Sequence, residues 1–157
     1  MKWLVIGYGS SLHCDDNLGR IVAEKLRTKN EAFDLEILTG NQLYPEWSEP
    51  ISRARGVIFV DATTLLPAGK FKWREIASDS DVSLSPNEGC FSHHCGPESL
   101  VNAAKTLYGY APRSWLYIVG GEDFSLGERI SDSVSVTIDK VVNEIQERIG
   151  AESKVLS

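Results

Sequence analysis

Four residues in this chain have the side chains and settings for metal or acid–base chemistry: the adjacent Asp15 and Asp16, then Asp61, then His94. The two adjacent acids close the stretch GYGSSLHCDDNLG, a glycine turn that follows an apolar run. Asp61 comes directly after the apolar Val57-Ile58-Phe59-Val60, and His94 lies in Ser92-His93-His94-Cys95-Gly96-Pro97. Two carboxylates offer hard oxygens and an imidazole a borderline nitrogen. Asp16, Asp61 and His94 together would suit a divalent ion such as nickel or zinc, with coordination positions left open. Each has a plainer reading too. Asp15 is placed to cap a helix and Asp16 to favour its positive end. Asp61 could bind backbone N–H groups in a turn, and His94 could cap the helix that follows it.

A glycine turn after a strand often cradles phosphate at the next helix N-terminus. Here Gly7-Tyr8-Gly9 lacks the third glycine of a dinucleotide fingerprint, and two acids stand where phosphate would need a positive helix end. Nucleotide binding is set aside. Cys90, His93, His94 and Cys95 have the spacing C-x2-H-H-C, with Cys14 elsewhere. That spacing matches no closed structural zinc site, because adjacent ligands rarely wrap one tetrahedral ion; a thiol-assisted site stays open. No serine nucleophile elbow is present.

The elements that must position these residues follow from hydrophobic period. Trp3-Leu4-Val5-Ile6, Leu35-Glu36-Ile37-Leu38, Val57-Ile58-Phe59-Val60 and Trp115 through Val119 read as strands, the most apolar of them buried on both faces. Residues 70–76, KFKWREI, alternate in part and predict a more exposed strand at an edge. Helical spacing is found over residues 16–29, from Pro97 onward, and over residues 131–149. Pro45 opens a further short helical stretch, which Pro50 bends or divides. Residues 77–96 have no usable period and predict a long functional loop. Strands alternating with helices predict an α/β domain of three α/β/α layers around a mainly parallel, twisted sheet of about five strands. Residues 1–150 form one domain in this reading, and residues 151–157 a frayed tail.

Composition narrows the function class. The 157 residues carry a formal charge of -6, with 42% hydrophobic and 24% charged residues, ordinary for a globular protein. No cluster of Lys and Arg offers a nucleic-acid surface. Three cysteines without a paired framework predict free thiols in a reducing compartment. The five-residue apolar run near the N-terminus is too short for a signal peptide or a membrane span. A cytoplasmic protein without nucleic-acid or membrane partners is expected.

In the order and spacing of its motifs the chain resembles the hydrogenase maturation proteases. The resemblance runs over about residues 2–150: the opening strand and G-x-G turn, then Asp15-Asp16-Asn17-Leu18-Gly19, then Val60-Asp61-Ala62, the histidine before a helix, Val119-Gly120-Gly121-Glu122 and the long closing helix. It implies an endopeptidase that removes the C-terminal extension of a nickel-loaded nickel-iron hydrogenase large-subunit precursor. It also implies that Asp16, Asp61 and His94 are the metal-coordinating and catalytic positions, His93 being the competing register. Nickel would come with the substrate, and zinc or cadmium would serve as surrogates. The run Gln42-Leu43-Tyr44-Pro45-Glu46 is similar to a Q-L-x-P-E subgroup serving NAD-reducing bidirectional hydrogenases. Ser10 stands where many members have asparagine, Thr39-Gly40-Asn41-Gln42 replaces the frequent D-G-G-T, and Cys95-Gly96 replace a common glutamine and leucine.

On this resemblance the bound metal polarises the scissile carbonyl or activates water, or else a carboxylate acts as general base, with Asp16 the better candidate. Two competing classes remain. One is a non-catalytic nickel or hydrogenase docking protein, with Tyr44, Trp47 and the loop of residues 77–96 as an exposed face. The other is a small zinc hydrolase using Cys90 or Cys95 with His94.

Overall fold

The computed structural model describes residues 1–30, 32–76 and 96–155. Five strands lie in one sheet: β1 (Trp3–Tyr8), β2 (Leu35–Gly40), β3 (Gly56–Thr63), β4 (Phe71–Ile76) and β5 (Ser114–Gly120). Their order is β2-β1-β3-β5-β4. β1, β2, β3 and β5 are parallel, and β4 runs antiparallel to β5 along one edge. The edge position expected for KFKWREI is therefore correct, and its four central side chains are exposed.

Four helices cover the sheet: α1 (Leu18–Lys29), the short α2 (Ser48–Ser52), α3 (Pro97–Tyr108) and α4 (Asp132–Val155). Strand alternation sends side chains to opposite faces, so both faces of the parallel strands must be apolar and covered. On one face Trp3, Val5, Ile58, Val60, Trp115 and Tyr117 meet Leu18, Val22 and Leu26 of α1 and the buried stripe of α4. On the other, Leu4, Ile6, Val57, Phe59 and Leu116 meet Ile51 of α2 and Leu100, Val101 and Ala104 of α3. The three-layer α/β/α arrangement is as expected.

Two boundaries differ from the hydrophobic pattern. β3 does not stop before Asp61 but continues to Thr63, because β5 goes on pairing with it through Asp61↔Ile118, Ala62↔Val119 and Thr63↔Gly120. α4 continues past Gly150 to Val155, where a frayed tail was expected. The extra turn is held by partners distant in sequence: Trp3 Nε1 donates to Ser153 Oγ at 3.0 Å, and Arg55 to the Ser153 carbonyl at 2.7 Å. Among the described residues no helix is long and apolar enough to cross a membrane.

Candidate active site

β1 leads through α1 to β2 on one side of it, whereas β3 lies on its other side. The crevice beyond the carboxyl ends of β1 and β3 is thus a topological switch point, where open α/β sheets bind their ligands. The glycines of the opening motif bring a helix start down onto this crevice. A Cβ on Gly7 would fall 2.1 Å from the Gly19 carbonyl oxygen, and one on Gly9, whose φ is +145°, would fall 1.9 Å from that of Asp16. G-x-G here serves close backbone approach, not phosphate. A 3-10 turn over Cys14–Asn17 follows and carries both acids into α1.

Asp16 is half-buried in that turn, its Oδ2 accepting the Ser10 N–H at 2.8 Å. Asp61 lies one step past the last β1–β3 pair, Gly7↔Val60, so Tyr8 and Asp61 are register neighbours. The Tyr8 hydroxyl hydrogen-bonds to the Asp61 carboxylate. Burial pushes the Asp61 carboxyl up to about 6, and the negative charge of Asp16 adds to this against the bonds from Tyr8 and the Ala62 N–H. Among the described residues no lysine or arginine forms an ion pair with either acid. The charge of Asp16 raises the proton affinity of Asp61, and two carboxylates without a described protein cation between them have the electrostatics of a cation seat.

Comparison with known sequences finds no matching protein family and no matching curated protein. Comparison of folds does find relatives. The hydrogenase maturating endopeptidase HybD from E. coli superposes with a TM-score of 0.74 at 19% identity, over 97% of this chain and 94% of that one. The hydrogenase maturation protease HycI from Thermococcus kodakarensis gives 0.70 at 22%, over 93% and 90%. The hydrogenase 2 maturation peptidase from a Thaumarchaeota archaeon gives 0.69 at 21%, over 96% and 99%. The fold is that of the hydrogenase maturation proteases.

Within this maturation-protease fold Asp15 plays a part that spacing did not suggest. It was expected to cap α1, yet neither the 3-10 turn nor α1 has a side-chain N-cap bond. Asp15 is instead fully buried and reaches across to the chain that follows β5. Its Oδ2 accepts the N–H groups of Glu122 at 2.8 Å and Asp123 at 2.9 Å and the Ser131 hydroxyl at 2.8 Å, while Oδ1 accepts the Ser131 N–H at 2.8 Å. Burial alone would raise its pKa, but these bonds outweigh burial and hold it below the ordinary carboxylate value. The adjacent acids are therefore divided: Asp15 is a clamp, while Asp16 accepts from the Ser10 N–H and lies within electrostatic reach of Asp61. Cys14, buried at the head of the turn, hydrogen-bonds through its thiol to Asp123 and has no disulfide partner.

His94, with His93, Cys90 and Cys95, lies outside the described residues, as does most of the loop expected over 77–96. Gly96 and Pro97 are described, with Pro97 opening α3 as its spacing implied. Among the described residues no group of three or more His, Cys, Asp or Glu side chains could hold a metal. Tyr8 was missed from sequence; the available signal was a hydroxyl-bearing aromatic closing an otherwise apolar strand beside two glycines. Tyr44 and Trp47, expected to form an exposed binding face, pack instead. Their rings meet edge to face at 5.0 Å. A Cβ on Gly40 would lie 2.6 Å from Tyr44 and 3.0 Å from Trp47, so both rings cover the end of β2.

Proposed function

We propose that this chain is an endopeptidase that trims the C-terminal extension of a nickel-loaded nickel-iron hydrogenase large-subunit precursor. The observation that carries the proposal is the pair Asp16 and Asp61, uncompensated by any described lysine or arginine, at the switch point of a maturation-protease fold. His94 is assigned as the third ligand. It stands two residues before Gly96, and α3 leads through residues 109–113 into the amino end of β5, which turns the N-terminal end of α3 back toward the carboxyl rim. Oxygen donors on Asp16 and Asp61 with an imidazole suit nickel, and also zinc or cadmium as surrogates.

In this proposal nickel belongs to the precursor, and the chain completes its coordination. Bound there, the ion supplies Lewis acidity at the scissile carbonyl or to a water. Asp16 is aimed by the Ser10 N–H, and Asp61 by the Tyr8 hydroxyl. For the alternative chemistry, a carboxylate general base, the half-buried Asp61 with its pKa raised to about 6 is better suited than Asp16, the candidate preferred on the resemblance. The resemblance over residues 42–46 makes an NAD-reducing bidirectional hydrogenase the first client to try, and its maturation places the reaction in the cytoplasm.

Intact mass of a large-subunit precursor, incubated with this protein in nickel-loaded and nickel-free forms, tests the reading. A C-terminal mass loss confined to the loaded sample is expected. Asp16→Asn should lower that cleavage at least about a hundredfold while keeping the wild-type circular dichroism spectrum. Undiminished cleavage by Asp16→Asn, or none by the wild type on a competent precursor, would overturn it.

A further inference from the structure

Leu12 and Leu126 are 56% and 77% exposed, on the segments that follow the carboxyl ends of β1 and β5. A parallel bridge joins His13 to Gly127. The Gly127 N–H donates to the Leu12 carbonyl at 2.7 Å, and the Cys14 N–H donates to the Gly127 carbonyl at 2.9 Å. In parallel register the residues preceding such a pair are neighbours with side chains on one face. The platform beneath them is pinned, since the two loops are tied by the bridge and by the four bonds onto buried Asp15. Single exposed leucines need no explanation. Two in register, on loops fixed beside Asp16, make a preformed apolar shelf.

Charge indicates what the shelf accepts. Residues 121–131 carry Glu122, Asp123 and Glu128 against Arg129 alone. Glu122 and Asp123 are engaged by Ser133 and Ser125, whereas Glu128 is exposed with no hydrogen bond or ion pair among the described residues. The complementary chemistry is an apolar side chain with a basic one beside it. We propose that Leu12, Leu126 and Glu128 form a docking shelf for an apolar–basic segment of the substrate polypeptide, next to the peptide that lies over Asp16 and Asp61. This inference rests on the endopeptidase reading above and adds to it a recognition surface separate from the metal.

Binding of a fluorescently labelled hydrogenase large-subunit precursor, read by anisotropy, tests the shelf without requiring cleavage. Leu12→Ser and Leu126→Ser should each raise Kd about tenfold, from lost apolar burial. Glu128→Gln should raise it less and flatten its salt dependence. Leu107→Ser, at an exposed leucine in the last turn of α3, should leave it unchanged. Wild-type affinity in both leucine variants, or an equal loss in Leu107→Ser, overturns the shelf. Intact mass on the same samples separates the two ideas. Cleavage with unaltered binding by the leucine variants removes the shelf and leaves the endopeptidase. Leucine-dependent binding without cleavage by the wild type keeps the shelf and removes the endopeptidase. Absence of any binding by the wild type overturns the shelf as well.

Discussion

Asp15 and Asp16 have the same side chain, one peptide apart, and opposite fates. Asp15 is ringed by three backbone N–H groups and a hydroxyl that stabilise its charge. Asp61, in contrast, is half-buried near a second carboxylate, and desolvation raises its pKa from 3.8 to about 6. For an acid, a raised folded-state pKa means that the native state holds the proton more tightly than the unfolded chain. The resulting penalty is absent below about 3.8, grows between 3.8 and about 6, and is complete above that. Two pKa units correspond to at most about 3 kcal/mol. Asp61→Asn should therefore stabilise the metal-free protein by about 2–3 kcal/mol at pH 7.5, with the gain vanishing near pH 3.5. Urea midpoints across pH check this, and a variant less stable than wild type at pH 7.5 would show that Asp61 is not held against its charge. A stabilising substitution at the position proposed as a ligand is what a site selected for function over stability would give.

At the scale of elements, the junction of β1, α1 and β3 depends on the absence of side chains at Gly7 and Gly19. A Cβ on Gly19 would fall 2.3 Å from the Val60 carbonyl oxygen and 2.9 Å from that of Tyr8. Backbone, not a flexible side chain, fills that space, so α1 would have to lift from the sheet. Gly19→Ala should cost about 1–3 kcal/mol or more, lowering Tm by several degrees, although alanine is the better helix former. A Tm equal to or above wild type would mean that the helix start has room to shift. The spacing of glycines was legible in the sequence; their purpose was not. A phosphate loop and a close backbone crossing require the same residue for the same lack of a Cβ, and only the missing third glycine and the acids nearby argued against phosphate.

Across the whole molecule the final turn of α4 ties elements that are far apart in sequence. Trp3 stacks on Trp115 at 5.7 Å between centroids, and its indole N–H reaches Ser153, while Glu152 accepts from Arg113 at 2.7 Å. Removing residues 151–157 deletes these bonds together with the Arg55 bond to Ser153. At about 0.5–1.5 kcal/mol for each of the three, the loss should be about 1.5–4.5 kcal/mol, or about 3–18 °C in Tm. An unchanged melting curve would return those residues to the status of a tail.

By itself the sequence determined the five strands, the three principal helices, the edge position of KFKWREI and the acids that deserved suspicion, because burial imposes a period that local composition records. It left open what depends on neighbours remote in sequence: the strand order that makes β1–β3 a switch point, the extension of β3 under Asp61, the helical end of α4 and the division of labour between Asp15 and Asp16. Aspartate is the same residue as cap, clamp or metal ligand. Which one it becomes is decided by the N–H groups and charges that surround it, and those arrive only when distant segments pack together.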